Sequence, residues 1–259
     1  MPGLGRLGLL LASAALFGGG AVRGEGAPAE PGSSAEGEAL QERQTPYDGR
    51  FTFVRLRFDA AGPGMGYTPP WAHDYPRAER NLMRILEFAT LLAPRTDGSN
   101  IFAVDDPELT KYPLAYLCEA GFWTQSDEQA AALRAWLLKG GFLIVDDFRG
   151  GDIYNFEREI RRVLPGAQLI ELEVSHPIFN SFFTIEALDL APPTYRRFTP
   201  VYYGIFEDND PRGRLLVVVN YNNDIGDYWE FSDTGWLPVD VSNEAYKLGV
   251  NYIMYAMTH

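Results

Sequence analysis

The most constraining feature of this 259-residue chain is a strand, a helix and a second strand joined by a short glycine link. An apolar run at 113–118 (PLAYLC) is followed by a capping box in which Ser126 and Gln129 open a helix. Gly140 is placed to end that helix, and the fully apolar segment FLIV follows at 142–145. A strand without polar alternation is typical of burial on both faces, so this unit predicts a parallel sheet flanked by helices.

The rest of the chain extends this α/β pattern. Further strands are predicted at 51–59, 101–104 and 168–174, and further helices at 76–92, 152–164 and 242–257. Asp74 is a candidate cap of the first of these helices. Two β-type segments, 200–207 and 214–222, flank a turn-rich link and predict a C-terminal antiparallel hairpin at a sheet edge. The predicted fold is a single α/β domain over residues 50–259, with the strand pair as a late addition to it.

The N-terminal part of the chain predicts export. Residues 1–24 have the layout of a secretory signal, with a positive charge at Arg6, a short apolar run and small residues before the expected cleavage site. Residues 25–49 are rich in Gly, Pro, Ala, Ser and Glu, and predict a disordered linker. The mature protein is therefore expected in the periplasm or outside the cell.

Charge and cysteine content narrow the classes of partner. Removing residues 1–24 takes away two arginines and no acids, so the formal net charge moves from −13 to −15. Such a chain is repelled by nucleic acid and by anionic membrane surfaces, which leaves cations, a protein partner or a neutral small ligand. Cys118 is the single cysteine and cannot form a disulfide within the chain.

Several standard catalytic motifs are absent from the sequence. It contains no G-x-S-x-G, H-E-x-x-H, C-x-x-C or Walker motif, and its three histidines do not suit a histidine-rich zinc site. The glycine-rich segment 59–66 lacks the following helix that a phosphate loop needs. Segment 220–230 has the alternating oxygens of a calcium loop, but its glycine is displaced, and a turn rich in Asn and Asp is the preferred interpretation.

Carboxylates follow every predicted central strand. In chain order they are Asp59, Asp105 and Asp106, Glu119, then Asp146 and Asp147. Parallel strands place these ends on one edge of the sheet, which is where ligands bind in open α/β folds. The acids would bind a hard cation such as Ca²⁺ or Mg²⁺, or raise one another's pKa for acid–base catalysis, or cap the helices that follow. Glu119, Asp146 and Asp147 are the candidate metal ligands, and no other cofactor is indicated.

Three segments resemble an uncharacterised bacterial family known as a domain of unknown function. They are GGFLIVDD at 140–147, HPIF at 176–179 and NEAYKLGVN at 243–251, and the resemblance extends from Phe51 to the end of the chain. That family is similar to the class I glutamine amidotransferase-like fold, near the trehalose-utilisation type domains. The resemblance implies a flavodoxin-like sheet.

The same resemblance does not imply that this chain hydrolyses glutamine. In amidotransferases the nucleophile is a cysteine after the strand that matches FLIV, and here Asp146 or Asp147 stands in its place. Two hypotheses remain open. The first is an exported, non-catalytic binding or assembly module, and the second is a carboxylate-based hydrolase, with or without a divalent cation, that uses Asp146, Asp147, Glu119 and His176. A structural role in a turn is an alternative for His176, because a proline follows it.

Overall fold

A computed structural model describes residues 44–60, 68–194 and 198–259. The predicted signal at 1–24 lies outside the described residues, as does the linker as far as residue 43. Within the described part of the chain, no helix has the length and apolar character needed to cross a membrane.

The C-terminal end of the predicted linker contacts the domain. The backbone N–H of Thr45 donates to the Asn100 side chain at 2.6 Å, and Asp48 forms an ion pair with Arg95 at 2.7 Å. Contacts with the domain therefore begin several residues before the predicted boundary at residue 49. No sequence pattern indicates these contacts, because they are polar and leave no hydrophobic periodicity.

Nine strands form the two sheets of the described chain. They are β1 (Val54–Arg57), β2 (Asp59–Ala60), β3 (Asn100–Ala103), β4 (Leu114–Cys118), β5 (Trp123–Thr124), β6 (Phe142–Phe148), β7 (Ile170–Glu171), β8 (Val201–Phe206) and β9 (Leu215–Tyr221). Seven lie in one sheet in the order β3-β1-β4-β6-β9-β8-β7, and β2 and β5 pair separately. The first five of that order are parallel, which confirms the predicted α/β class.

Five helices cover both faces of the sheet. They are α1 (Arg77–Ala89), α2 (Asp127–Leu138), α3 (Asp152–Val163), α4 (Ile225–Glu230) and α5 (Val239–Thr258). Apolar side chains of α1, α4 and α5 pack on one face together with Ile144 of β6. Those of α2 and α3 pack on the other face together with Leu143 and Val145. Strand β6 is thus buried from both sides, as its unbroken apolar run predicts.

The predicted strand–helix–strand unit is confirmed in detail. Ser126 Oγ accepts a hydrogen bond from the N–H of Gln129 at 3.2 Å, and Gln129 Oε1 accepts one from the N–H of Ser126 at 2.9 Å. Gly140 ends the turn after α2 with a φ of +113°, which favours glycine. The strand prediction needs one correction, because β6 does not stop at Val145 and continues through both aspartates to Phe148.

The C-terminal strand pair is also only partly as predicted. Strands β8 and β9 are antiparallel neighbours, as expected of a hairpin. However, β9 lies beside β6, and the short strand β7 covers the other side of β8. The pair therefore lies inside the sheet and not at its edge, because two residues of β7 satisfy the open hydrogen-bonding groups of β8.

The strand order places a ligand-binding position above the centre of the sheet. From β1 the chain moves outward to β3 and then returns to the opposite side of β1 as β4. Loops that follow β1 and β4 consequently diverge at this point, and the crevice between them lies at the carboxyl ends of the strands.

Candidate cation site at the carboxyl edge

One histidine and seven acids gather at the carboxyl edge of the parallel strands. We call this group the acidic edge, and it consists of His73, Asp74, Glu119, Asp146, Asp147, Asp224, Asp227 and Glu230. Each is close enough to at least one other member for their charges to shift a pKa. The predicted candidates Glu119, Asp146 and Asp147 are all present.

Asp146 has a structural role within this group. It is fully buried, and its carboxylate accepts hydrogen bonds from the Tyr116 hydroxyl at 2.9 Å and the Asn220 amide at 3.1 Å. It also accepts the backbone N–H groups of Ile225 at 3.1 Å and Gly226 at 3.0 Å, and so fixes the start of α4. Burial and the neighbouring Asp147 raise the pKa of Asp146 to about 7, although these donors oppose the rise. The alternative that these acids cap the helix that follows them does not hold for Asp146, which instead binds the start of α4, a helix far away in sequence.

Asp147 faces the opposite way and contacts His73. Its Oδ2 lies 2.7 Å from His73 Nδ1, and the imidazole is half exposed. The hydrogen bond to Asp147, with the charge of Asp74, raises the pKa of His73 to about 10 against its burial. Asp147 has a φ of +54°, an unfavourable conformation for a residue with a Cβ, and such strain concentrates at functional sites.

Glu119 follows β4 and shares this backbone conformation, with a φ of +52°. Burial, followed by repulsion from Asp147, raises the pKa of its carboxyl group to about 8. The side chain is only partly buried, so the group is accessible to water. Glu119 therefore provides an acid or a base beside Asp147.

Asp74 is the least expected member of the acidic edge. The residue is 5% exposed, and neither carboxylate oxygen has a hydrogen-bond donor among the described residues. The prediction that Asp74 caps α1 is wrong, because α1 begins at Arg77 without a side-chain cap. Burial raises the pKa of Asp74 well above its usual range, with repulsion from Asp147 and Asp227 adding to the rise.

The loop that carries His73 and Asp74 is held by a buried arginine on β1. Arg55 Nη1 donates to the carbonyl oxygens of Trp71 at 3.0 Å and His73 at 2.7 Å. The guanidinium also pairs with Glu79 on α1. Because Arg55 and Glu79 are both buried, the position of the loop is coupled to the packing of α1 on the sheet.

The remaining acids come from the segment that we interpreted as a turn. That interpretation is incomplete, because the segment contains helix α4 as well. Asp224 is 1% exposed, and its Oδ1 accepts the N–H of Asp227 at 2.9 Å. Asp227 Oδ2 accepts the hydroxyl of Thr194 at 2.8 Å. Burial raises the pKa of Glu230, which lies near Asp227 and Asp74.

Two overlapping sets of side chains have the spacing of metal ligands. One ligand atom from each of His73, Asp74 and Asp147 lies within 4.8 Å of the others. The same holds for Asp74, Asp224 and Asp227. Asp74 belongs to both sets.

Gly226 allows Asp74 to reach this position. A Cβ at residue 226 would stand 2.4 Å from Asp74 Oδ2 and 2.9 Å from the Tyr116 hydroxyl. No side chain fits that distance, so glycine is required here by the approach of the carboxylate. The start of α4 thus leaves room for the Asp74 carboxylate but provides no hydrogen-bond donor to it.

Other predicted candidates lie elsewhere. Asp105 is exposed, and Asp106 caps the short helical turn at Pro107–Lys111 by accepting the N–H of Glu108. Asp59 is exposed on β2. Convergence of the strand-end acids is thus limited to those after β4 and β6.

His176 is at the opposite edge of the sheet. Its Nδ1 accepts the N–H of Ile178, and its ring packs against Phe206 and Tyr255. Phe206 pairs with Leu215 at the amino end of β9, whereas the acidic edge follows the carboxyl ends. The structure therefore gives His176 the role of a turn residue and does not bring it to Asp147.

Sequence reasoning missed His73, Asp74 and Asp227 as members of the site. The adjacent pair His73-Asp74 follows a glycine-rich segment after the first strand, and that position is the signal that indicates a ligand loop in an α/β fold. We considered the segment only as a phosphate loop. Asp227 gave no signal beyond a turn composition.

Comparison with known proteins identifies one family that this chain matches. No curated protein matches the chain. The model of a family described as "Domain of unknown function (DUF4159)" matches residues 52–257, which is nearly the whole described domain. The chain therefore belongs to the DUF4159 family of domains of unknown function.

Proposed function

We propose that this domain binds a divalent cation at the acidic edge and uses it to activate water for hydrolysis. The first cation site consists of His73, Asp74 and Asp147, with Glu119 beside it. This is the hydrolase hypothesis of the sequence analysis, with His73 and Asp74 in place of His176 and Asp146.

The observation that carries the proposal is the buried Asp74 carboxylate without a donor. A buried charge without a partner costs several kcal/mol, and a folded protein retains one where a ligand neutralises it. His73 Nδ1 lies 3.5 Å from Asp74 Oδ1 without forming a hydrogen bond, and the nearby acids Asp147 and Asp227 repel the Asp74 carboxylate, so a positively charged ligand would stabilise it. A proton shared between Asp74 and Glu230 is the alternative, and the experiment below separates it from a cation.

The ligand chemistry favours a hard cation. Two carboxylates and one imidazole suit Mg²⁺, Mn²⁺ or Ca²⁺ better than the soft metals that prefer thiolates. Cys118 is fully buried beside Arg55 and contributes no ligand to this set. His73 Nδ1 lies 2.7 Å from Asp147 Oδ2, and a cation bound between them would displace the proton of this contact.

Glu119 is suited to move the proton in such a reaction. A cation held by His73, Asp74 and Asp147 would lower the pKa of a water that attacks the electrophilic centre, and Glu119 would accept one proton of that water. The same proton leaves with the departing group, which restores the carboxylate. Esters and glycosides are the substrate classes that this chemistry suits, since both release an oxygen leaving group.

The finer fold and the location of the protein belong to the same proposal. A positive φ at Asp147, near the carboxyl end of the central strand β6, supports the amidotransferase-like relationship implied by the resemblance. The signal pattern at residues 1–24 supports export to the periplasm or the exterior. The excess of acids supports the expectation that nucleic acid and anionic membranes are not partners.

Thermal unfolding of the full chain tests the cation. After treatment with EDTA, addition of Mg²⁺, Mn²⁺ or Ca²⁺ is expected to raise the melting temperature of the wild type and to leave Asp74→Asn unchanged. Asp105→Asn is the matched control, since it removes another strand-end acid outside the acidic edge, and it should respond as the wild type does. A wild type that no cation stabilises, and whose stability depends on pH alone, would support the shared proton and overturn the proposal.

Hydrolysis is tested separately with a panel of p-nitrophenyl esters and glycosides. Turnover should require the cation and should fall at least about 100-fold in Glu119→Gln, the contribution expected of a general base. The variant should still bind the cation. Cation binding without turnover on any member of the panel would instead favour the non-catalytic binding module.

A further inference from the structure

We propose a second divalent cation site, formed by Asp74, Asp224 and Asp227, with Asp74 bridging the two cations. The inference rests on the proposed function, because the bridging carboxylate belongs to the first site as well. It goes beyond that function in the number of cations bound and in the residues that hold the second one.

The two oxygens of Asp74 face different partners. Oδ1 lies 3.5 Å from His73 Nδ1, on the side of Asp147. Oδ2 lies on the side of α4, only 2.4 Å from where a Cβ of residue 226 would stand. A carboxylate that presents one oxygen to each of two ligand sets, and has a donor on neither, has the arrangement of a bridging ligand.

Asp224 and Asp227 are held in place for this role. The hydrogen bond from the N–H of Asp227 fixes Oδ1 of Asp224, and the Thr194 hydroxyl fixes Oδ2 of Asp227. A cation needs only the other oxygen of each carboxylate. Such second contacts orient metal ligands and prevent their collapse onto one another.

A single cation would leave this region with uncompensated charge. Asp224 is 1% exposed, and the charged groups that act on it most strongly, Asp74, Asp146, Asp147 and Asp227, are all acids. A cation between His73 and Asp147 would be further from Asp224 than from Asp74. Carboxylates bridge pairs of cations about 3.5–4 Å apart in hydrolytic centres, and a second cation on the α4 side of Asp74 completes such a pair.

The number of cations bound per chain tests whether the second site exists. With Mn²⁺ as the probe, equilibrium dialysis of the full chain is expected to give two ions per wild-type chain. Asp224→Asn and Asp227→Asn should each give one, Asp74→Asn none, and the control Asp105→Asn two. Electron paramagnetic resonance should detect spin coupling between the two ions in the wild type, and uncoupled Mn²⁺ in the Asp224 variant.

Other outcomes separate the two proposals. One ion per wild-type chain, lost in Asp74→Asn and retained in Asp224→Asn, would overturn the second site and leave the proposed function intact. No bound ion at all would overturn both. Two uncoupled ions that persist in both Asp224→Asn and Asp227→Asn would also overturn the bridging arrangement. Circular dichroism confirms that each variant is folded, and Asp227, being only partly buried, is the substitution least damaging to the fold.

Discussion

Two buried aspartates at the same edge of the sheet have opposite surroundings. Asp146, within β6, accepts hydrogen bonds from four donors. Asp74, in the loop before α1, accepts none among the described residues. Burial alone therefore does not identify a ligand site, because the carboxylate with a full set of donors is part of the framework. The carboxylate without donors is the one that a ligand must satisfy.

The strongest test of this comparison is removal of the framework acid. Asp146→Ala should lower the free energy of unfolding by about 3–5 kcal/mol, since it leaves four buried donors without an acceptor. Urea unfolding in EDTA measures the change, and Asp105→Ala should stay within about 0.5 kcal/mol of the wild type. A loss below about 1 kcal/mol would mean that Asp146 does not organise α4.

Removal of the Asp74 carboxylate, which has no hydrogen-bond donor, should change the free energy of unfolding in the opposite direction. In EDTA, Asp74→Asn should raise the free energy of unfolding by about 2 kcal/mol, because folding must otherwise bury the Asp74 carboxylate or protonate it against its usual pKa, and the amide can donate to the neighbouring carboxylates. The same urea experiment measures this gain. Destabilisation in EDTA would show that the charge of Asp74 is already compensated without a cation.

The glycine that accommodates Asp74 sharpens the comparison further. Gly226→Ala places a methyl group against Asp74 Oδ2 and should cost about 1–3 kcal/mol through overpacking, together with weaker cation binding. Gly151→Ala is the matched control, since a Cβ there meets nothing within 4 Å and its φ of −66° suits alanine. Equal effects of the two substitutions would contradict the close approach of Asp74 to α4.

The smallest expected effect is the pH dependence of the cation-free protein. Folding raises the pKa of Glu119 from 4.5 to about 8 and that of His73 from 6.5 to about 10, so the folded state binds these protons more tightly than the unfolded state. The stability that Glu119 and His73 contribute is fully present at a pH below their pKa values in the unfolded state. It is lost as the pH rises through their folded-state pKa values of about 8 and about 10.

Unfolding free energies in EDTA at pH 7 and pH 9 measure this effect. We expect a fall of about 1 kcal/mol, reduced by solvent because both side chains are partly exposed. Glu119→Gln should lessen the fall, and the control Asp105→Asn should keep it. A stability that rises from pH 7 to pH 9 would contradict the raised pKa values.

Local patterns were sufficient for much of the framework. The capping box at Ser126 and Gln129, the glycine at 140 and the unbroken apolar run of β6 each depend on neighbours in the chain. Strand-end acids were predictable for the same reason, since a parallel sheet brings Glu119 and Asp147 to one edge. The predictions failed where the partner is distant, as with β7 beside β8.

The candidate site depended on such distant partners. Asp146 and Asp147 are adjacent and chemically identical, yet one meets the start of α4 and the other meets His73, about 75 residues away in sequence. The sequence by itself determined the α/β class and the edge at which acids gather, because periodicity and capping act over a few residues. Only the tertiary structure decided which acids have donors and which do not, because the donors come from loops and helices that folding alone brings together.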